Sequence, residues 1–171
     1  NGNEIPLVSF LEVIGFSRAR SESAFAALRE WLSSAQKSST EVGLSPHAPY
    51  TVSPALVGKL VGLARENALP VAMHLAESPE ELELLQNGTG PFRELLAARS
   101  MWDATAISTG SRPLDYLRML AEAPRALVIH GNYLAREEHE FLAAHAERMT
   151  LVYCPRTHAY FRHPHYPLSG L

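Results

Sequence analysis

Three histidines of this chain stand at or just past the end of a short apolar run. They are His47 in LSPHAPY, His74 in PVAMHLAES and His130 in ALVIHGNY. Imidazole nitrogens bind divalent metal ions and exchange protons near neutral pH. If the fold brings the three rings together, these residue types predict a metal site, or at least an acid–base site.

Glu77 follows His74 closely, in the motif His-Leu-Ala-Glu, and stands just before a helix signal. A bound divalent cation lowers the pKa of its water to about 7, and a nearby carboxylate can take up the proton and return it to a leaving group. The alternative is a hydrogen-bonded core histidine followed by a first-turn glutamate that the helix dipole favours. The motif taken alone favours this alternative.

Five short apolar segments are predicted strands that would carry these side chains. A strand-plus-helix unit is ~30 residues long, which is close to the separation of His47 from His74 and of His130 from Arg156. Parallel strands end at one edge of a sheet, and β/α barrels have their active sites there. We therefore expect these four side chains at one carboxyl edge. The predicted strands are residues 7–13, 42–45, 70–74, 126–130 and 150–154.

Helix signals separate the strands. Two helices begin with a serine N-cap and a proline in the first helical position, at Ser53-Pro54 and at Ser78-Pro79. The second also has a capping-box pattern, with Glu81 after the serine, and Asn87-Gly88 ends it. Strands that alternate with helices predict an α/β fold with right-handed crossovers. Further helices are predicted at residues 21–33, 91–99, 113–121 and 135–148.

The stretch between His74 and His130 is too long for one strand-plus-helix unit. It includes residues 103–108, which form a short strand or a loop. Inserted loops at the carboxyl face of a barrel build substrate pockets. Trp102 is therefore a candidate pocket residue, and ordinary packing is the alternative for it.

The composition is that of an ordinary globular enzyme. The 171 residues are 46% hydrophobic and 19% charged, with a net charge of −3. The chain has no basic patch of the kind that would predict nucleic-acid binding. No apolar stretch reaches the ~18 residues that a membrane span requires. The single cysteine, Cys154, excludes an internal disulfide and favours a cytoplasmic protein. We expect Cys154 to be a buried strand residue rather than a nucleophile.

Five motifs, in their order along the chain, resemble the amidohydrolase superfamily and in particular its deaminase and chlorohydrolase branch. That branch includes S-adenosylhomocysteine, adenosine-type and guanine deaminases and triazine hydrolases. Each motif is short, but the combination is specific and covers most of the chain. The motifs are SPHAPYTVS (45–53), HLAES (74–78), RPLDYL (112–117), IHGNYL (129–134) and CPRTH (154–158).

The resemblance implies a partial (β/α)8 TIM barrel, with about strands three to seven present. Residues 1–171 would then be a fragment of a metal-dependent hydrolase barrel domain. The family's H-x-H on the first strand and its metal-binding aspartate on the eighth would lie outside it. His163-Pro164-His165 has the H-x-H form but follows the last predicted strand, and is interpreted as a polar loop. A smaller open α/β sheet is the alternative. As a fragment, the chain alone is expected to be inactive.

The resemblance also implies a role for each strand-end residue. His74 would be the metal ligand and Glu77 the proton shuttle. His130 would contact the metal, the attacking water or the tetrahedral intermediate, and so counts as both metal-binding and catalytic. His47 would contact the substrate.

The chain departs from the family's usual pattern in two places. Gly131 follows His130 where the family usually has cysteine or another small residue, and Arg156-Thr157-His158 replaces the end of the usual C-P-x-S-N. The second departure changes the rim that faces the substrate and leaves the exact substrate open. Arg156 and Trp102 are therefore expected to bind substrate together with His47.

The implied function is hydrolytic deamination of an aminated purine-like or related heterocycle by a metal-bound hydroxide. One divalent ion is implied. Zn²⁺ suits histidine and carboxylate ligands best, and Fe²⁺, Mn²⁺ or Ni²⁺ remain open. The expected partner is a small-molecule substrate, with no nucleic acid and no membrane, and a homo-oligomer is left open. The alternatives are a cyclic amidase or chlorohydrolase with the same mechanism, or a non-catalytic barrel segment that acts only through assembly.

Overall fold

The computed structural model describes residues 7–35 and 41–166. Five parallel strands form one sheet, in which each strand pairs with its neighbours in chain order. The five predicted strands and the α/β class are confirmed. The strands are β1 (Val8–Val13), β2 (Glu41–Pro46), β3 (Pro70–Leu75), β4 (Arg125–His130) and β5 (Met149–Val152).

Helices separate the strands, and all six predicted helices are present. Residues 103–108 form turns rather than a strand. The helices in the described residues are α1 (Arg18–Ala35), α2 (Pro54–Glu66), α3 (Pro79–Asn87), α4 (Pro91–Ala98), α5 (Pro113–Leu120), α6 (Arg136–Ala144) and α7 (Pro155–Tyr160).

The end of the last strand differs from the prediction. Strand β5 ends at Val152, and Cys154 is instead the N-cap residue of α7 and only partly buried. The expectation of a buried strand cysteine was therefore wrong. Pro155 in the first helical position explains the difference, because proline starts helices readily but cannot donate to a strand ladder.

The core lies between the sheet and its covering helices. On β3, Val71, Met73 and Leu75 are fully buried, and on α2 so are Leu56 and Leu60. Burial of one such side chain stabilises the fold by ~1.5–3 kcal/mol. Within the described part of the chain, no helix combines the length and the apolar character that crossing a membrane requires.

The strand register aligns the carboxyl ends of the strands. Val13 pairs with Pro46, Leu75 with His130, and Ile129 with Val152. Backbone hydrogen bonds continue this ladder past the strand ends, where the His47 amide donates to Val13 and the His74 amide to His47. The shared carboxyl edge expected for His47, His74 and His130 is therefore confirmed, whereas Arg156 lies beyond β5 in α7.

Both edges of the sheet carry uncovered apolar surface. Leu7 and Val8 at β1 are 69% and 36% exposed. At the other edge, a groove of about 660 Å³ lies beside α6 and β5, with Leu142, Met149 and Leu151 in its wall.

We expect the isolated 171-residue chain to unfold with a free energy below the ~5–15 kcal/mol of ordinary native domains. The reason is that unpaired strand edges and bare apolar faces favour association over a stable monomer. Chemical unfolding followed by circular dichroism, on a monomer verified by ultracentrifugation, measures this. A cooperative transition of ordinary stability from that monomer would contradict the expectation.

Candidate functional site

His74 is the second-last residue of β3, and its ring is half-buried. Its Nδ1 lies 3.0 Å from the backbone oxygen of His47. A carbonyl oxygen only accepts hydrogen bonds, so Nδ1 carries the proton and Nε2 keeps a free lone pair. Metal-binding histidines typically have this arrangement, in which a hydrogen bond from the other ring nitrogen sets the tautomer.

His47 lies directly after β2, with its ring centroid 5.1 Å from that of His74. Its Nδ1 is 2.6 Å from the Thr51 hydroxyl oxygen, and that hydroxyl donates to the Ala48 carbonyl. His47 is therefore the donor to Thr51, which again leaves Nε2 free. Burial lowers the pKa of His47, although the charge of Glu12 opposes the shift. A neutral ring is the form that binds metal or accepts a proton.

Glu12 completes a cluster that the sequence analysis missed. It lies one residue before the end of β1, and its carboxylate, His47 and His74 each place a ligand atom within 4.8 Å of the others. Imidazole and carboxylate groups form a donor set suited to Zn²⁺ and similar divalent ions. The residues present thus fit a metal ion at this edge. A carboxylate at a strand end was the signal that could have identified Glu12.

His130 is the last residue of β4, and only 6% of it is exposed. Its φ of +74° is left-handed, which is rare for a residue other than glycine and is concentrated at functional sites. Its Nε2 lies 3.3 Å from Glu77 Oε1, and its ring centroid lies 5.4 Å from that of His74. Burial lowers the pKa of His130, while the neighbouring Glu77 opposes this. A neutral ring beside a carboxylate can share or relay a proton.

Gly131 follows with a φ of +62°. This left-handed conformation favours glycine, so Gly131 fits this position without strain.

Glu77 faces a cavity of about 740 Å³. One wall is an aromatic pair, Tyr50 and Phe92, whose rings stack at 4.0 Å with an interplanar angle of 12°. Another part contains Tyr133 and His163, joined by a 2.9 Å contact between the phenol oxygen and Nδ1. Aromatic walls with a few polar groups are typical of sites for flat organic ligands.

Four of these cavity residues, Tyr50, Phe92, Tyr133 and His163, were not predicted as site residues. Residues 163–165 do form a loop, as expected, but His163 lies in the cavity wall. Sequence signals for the aromatic residues were weak, because aromatic side chains in loops most often serve packing.

The other two predicted substrate-binding residues lie elsewhere. Trp102 stacks on Phe16 with a centroid distance of 5.5 Å, and the Arg93 guanidinium lies 5.8 Å from its ring. Arg156 is exposed on α7. Among the described residues that line the cavity, neither Trp102 nor Arg156 is found. Their role in substrate binding stays a prediction.

The Amidohydrolase family pattern matches residues 13–168. An aminodeoxyfutalosine deaminase from Deinococcus radiodurans is 36% identical over 86 residues, which is 48% of this chain and 21% of that protein. An adenosine deaminase from Helicobacter pylori is 27% identical over 155 residues, which is 89% of this chain and 37% of that protein.

A solved structure, the aminofutalosine deaminase of Helicobacter pylori, superposes with a TM-score of 0.71 at 25% identity. It covers 88% of this chain and 38% of its own. The chain therefore spans less than two fifths of the length of each of these relatives. The fold is that of part of a TIM barrel, as the motifs implied, and the resemblance is confirmed: the chain belongs to the amidohydrolase family.

Proposed function

We propose that this chain is the central part of a barrel hydrolase that deaminates an aminated purine-like heterocycle. The observation that carries the proposal is the position of Glu77. Its carboxylate contacts His130 Nε2 at 3.3 Å and lines the aromatic-walled cavity. The His130 ring in turn lies 5.4 Å from that of His74, whose Nε2 is free. Matches to deaminases of adenosine and of aminodeoxyfutalosine support the reaction class.

The proposed reaction replaces an exocyclic amine by oxygen. Water adds to the ring carbon, the carbon–nitrogen bond breaks, and ammonia leaves. Glu77 takes a proton from the attacking water and delivers it to the departing nitrogen. His130 lies beside the Glu77 carboxylate, with Nε2 3.3 Å from Oε1, and limits the positions that the carboxylate can adopt. The stacked pair Tyr50 and Phe92 provides a flat apolar wall for the heterocycle.

A divalent metal at this edge would supply a water of lowered pKa at neutral pH. We propose that His74 and His130 help to hold it, and that the H-x-H strand and the aspartate strand of the longer protein provide the remaining ligands. His47 is proposed to contact the substrate. Glu12, His47 and His74 form an alternative set of ligands for the same ion. Zinc is the proposed ion, since it suits these ligands best.

Replacing His47 by alanine distinguishes the two donor sets. We expect His47→Ala in the longer protein to raise KM or lower kcat by ~10-fold, with the metal retained, because a substrate contact acts on binding and on the transition state. Steady-state kinetics and elemental analysis measure both. Loss of the metal in His47→Ala would instead assign the ion to the set of Glu12, His47 and His74.

Ammonia release from a panel of compounds tests the reaction itself. The longer protein, loaded with Zn²⁺, is incubated with adenosine-like compounds including aminodeoxyfutalosine, with guanine-like compounds and with triazines. We expect release from the adenosine-like group, and none after removal of the metal by a chelator. Cleavage of a cyclic amide without ammonia release would favour the amidase alternative. Turnover of no compound would favour a barrel segment that acts only through assembly.

A further inference from the structure

Glu81 is a fully buried carboxyl group in the first turn of α3. One of its oxygens accepts a hydrogen bond from the Ala76 amide at 2.7 Å, and the other accepts one from the Glu77 amide at 3.2 Å. The sequence predicted a capping box at this helix. Half of that box is present, since Ser78 accepts from the Glu81 amide at 3.4 Å. The carboxylate, however, reaches back past the cap to the two residues before it.

The Ala76–Glu77 turn, whose two amides donate to Glu81, has an unusual backbone conformation. Ala76 has a φ of +52°, a left-handed conformation that residues other than glycine adopt only when their surroundings hold them there. This turn joins β3, which positions His74, to the cavity residue Glu77.

The other side of the same turn is held by the loop after β4. The Tyr133 amide donates to the Ala76 carbonyl at 3.1 Å, and the Asn132 side-chain amide donates to the Glu77 carbonyl at 3.0 Å. All four backbone polar groups of Ala76 and Glu77 are therefore paired. Glu81 supplies both acceptors, and the loop that follows His130 supplies both donors.

We propose that Glu81 is a positioning residue, whose carboxylate fixes the Ala76–Glu77 turn so that the Glu77 carboxylate stays directed at His130 and the cavity. This rests on the proposed role of Glu77 as the proton carrier. Glu81 itself touches neither the cavity nor the histidines.

Stability alone does not account for a glutamate at this place. Burial raises the pKa of Glu81 to about 8, although the two amides oppose the shift. An acid whose pKa is higher in the folded than in the unfolded chain destabilises the fold increasingly as pH rises from the unfolded value towards the folded one. The raised pKa therefore costs folding free energy as the pH rises above the unfolded value, whereas the two hydrogen bonds from the amides, at 2.7 and 3.2 Å, order the turn.

The test uses Glu81→Gln in the longer, metal-loaded protein. Glutamine keeps one acceptor but turns an NH₂ group towards an amide N–H, so one of the two hydrogen bonds is lost. We expect kcat to fall by ~10–100-fold with unchanged metal content, because a displacement of about 1 Å at a reacting group can cost ~100-fold. We also expect faster hydrogen exchange of the Ala76 and Glu77 amides.

Glu138→Gln is the matched control. Glu138 is also a buried first-turn glutamate, on α6, and accepts from the Ala135 amide at 2.8 Å and from Arg112 at 3.2 Å. The same substitution there removes a comparable backbone contact at the start of α6, outside the Ala76–Glu77 turn. We expect a lower melting temperature with unchanged kcat.

A double mutant separates positioning from an independent effect. If Glu81 acts through Glu77, the protein with both Glu77→Gln and Glu81→Gln is no slower than Glu77→Gln alone. Additive losses, or a wild-type kcat in Glu81→Gln, would overturn the proposal. Full activity in Glu77→Gln would instead refute the proposed role of Glu77.

A second starting variant, Ala76→Gly, allows the same test if Glu81→Gln alone does not fold. Ala76→Gly accepts the left-handed conformation without strain. In that background, Glu81→Gln should still lower kcat by ~10-fold relative to Ala76→Gly, because the Glu77 amide still loses a well-placed acceptor. An unchanged kcat there would overturn the proposal.

Discussion

Replacing Glu77 by glutamine is expected to lower kcat of the longer, metal-loaded protein by ~10²–10⁴-fold, the usual contribution of a general acid–base group. Glutamine has nearly the same size and still forms hydrogen bonds, but its amide cannot take up a proton. Glu77 contacts His130 but is proposed as the proton carrier, and it belongs to neither of the two proposed sets of metal ligands. We therefore expect the bound metal to remain. Steady-state kinetics and elemental analysis of the same preparation measure the two effects.

Glu122→Gln is a suitable control for that substitution. Glu122 is exposed and forms a 3.2 Å ion pair with Arg65 on the surface, so its replacement should leave kcat and metal content unchanged. If Glu77→Gln lost the metal, Glu77 would be a ligand rather than a proton carrier. Activity near that of the wild type would show that the proton takes another route.

His74→Ala is expected to have the other large effect, the loss of the metal together with the activity. Both donor sets that surround the site include His74, and its Nδ1 bond to the His47 carbonyl directs Nε2 outward as a ligand. Mutation of groups that only orient a ligand costs 10–100-fold in metal affinity. We therefore expect a loss of affinity of at least ~100-fold on removing the ligand itself. Competition with a chromophoric chelator measures it.

His165→Ala is the control for the loss of a histidine. His165 is exposed and belongs to the H-x-H pattern after α7, which the sequence analysis interprets as a loop. Wild-type affinity is expected in this variant. If His165→Ala lost the metal and His74→Ala retained it, the ion would belong to that loop and the assignment to the barrel edge would be wrong.

The local structure of this chain could be predicted from its sequence to a large extent. Apolar runs marked the five strands, and serine–proline pairs at Ser53 and Ser78 marked two helix starts that the structure confirms. The position of His47, His74 and His130 at one edge also followed, because parallel strands in register bring residues at equivalent positions together. These features depend on the order of residues within one element and on the repeat of strand and helix.

The tertiary structure alone decided which side chains meet. The contact of Glu77 with His130, the cluster with Glu12 and the stacking of Trp102 on Phe16 each join residues from different elements. Periodicity indicates the face of its own strand or helix that a residue occupies, but not its distance from a residue far along the chain. Glu81 shows the same limit at short range: its pattern predicted a helix cap, whereas the left-handed turn at Ala76 turned the amides of Ala76 and Glu77 towards its carboxylate.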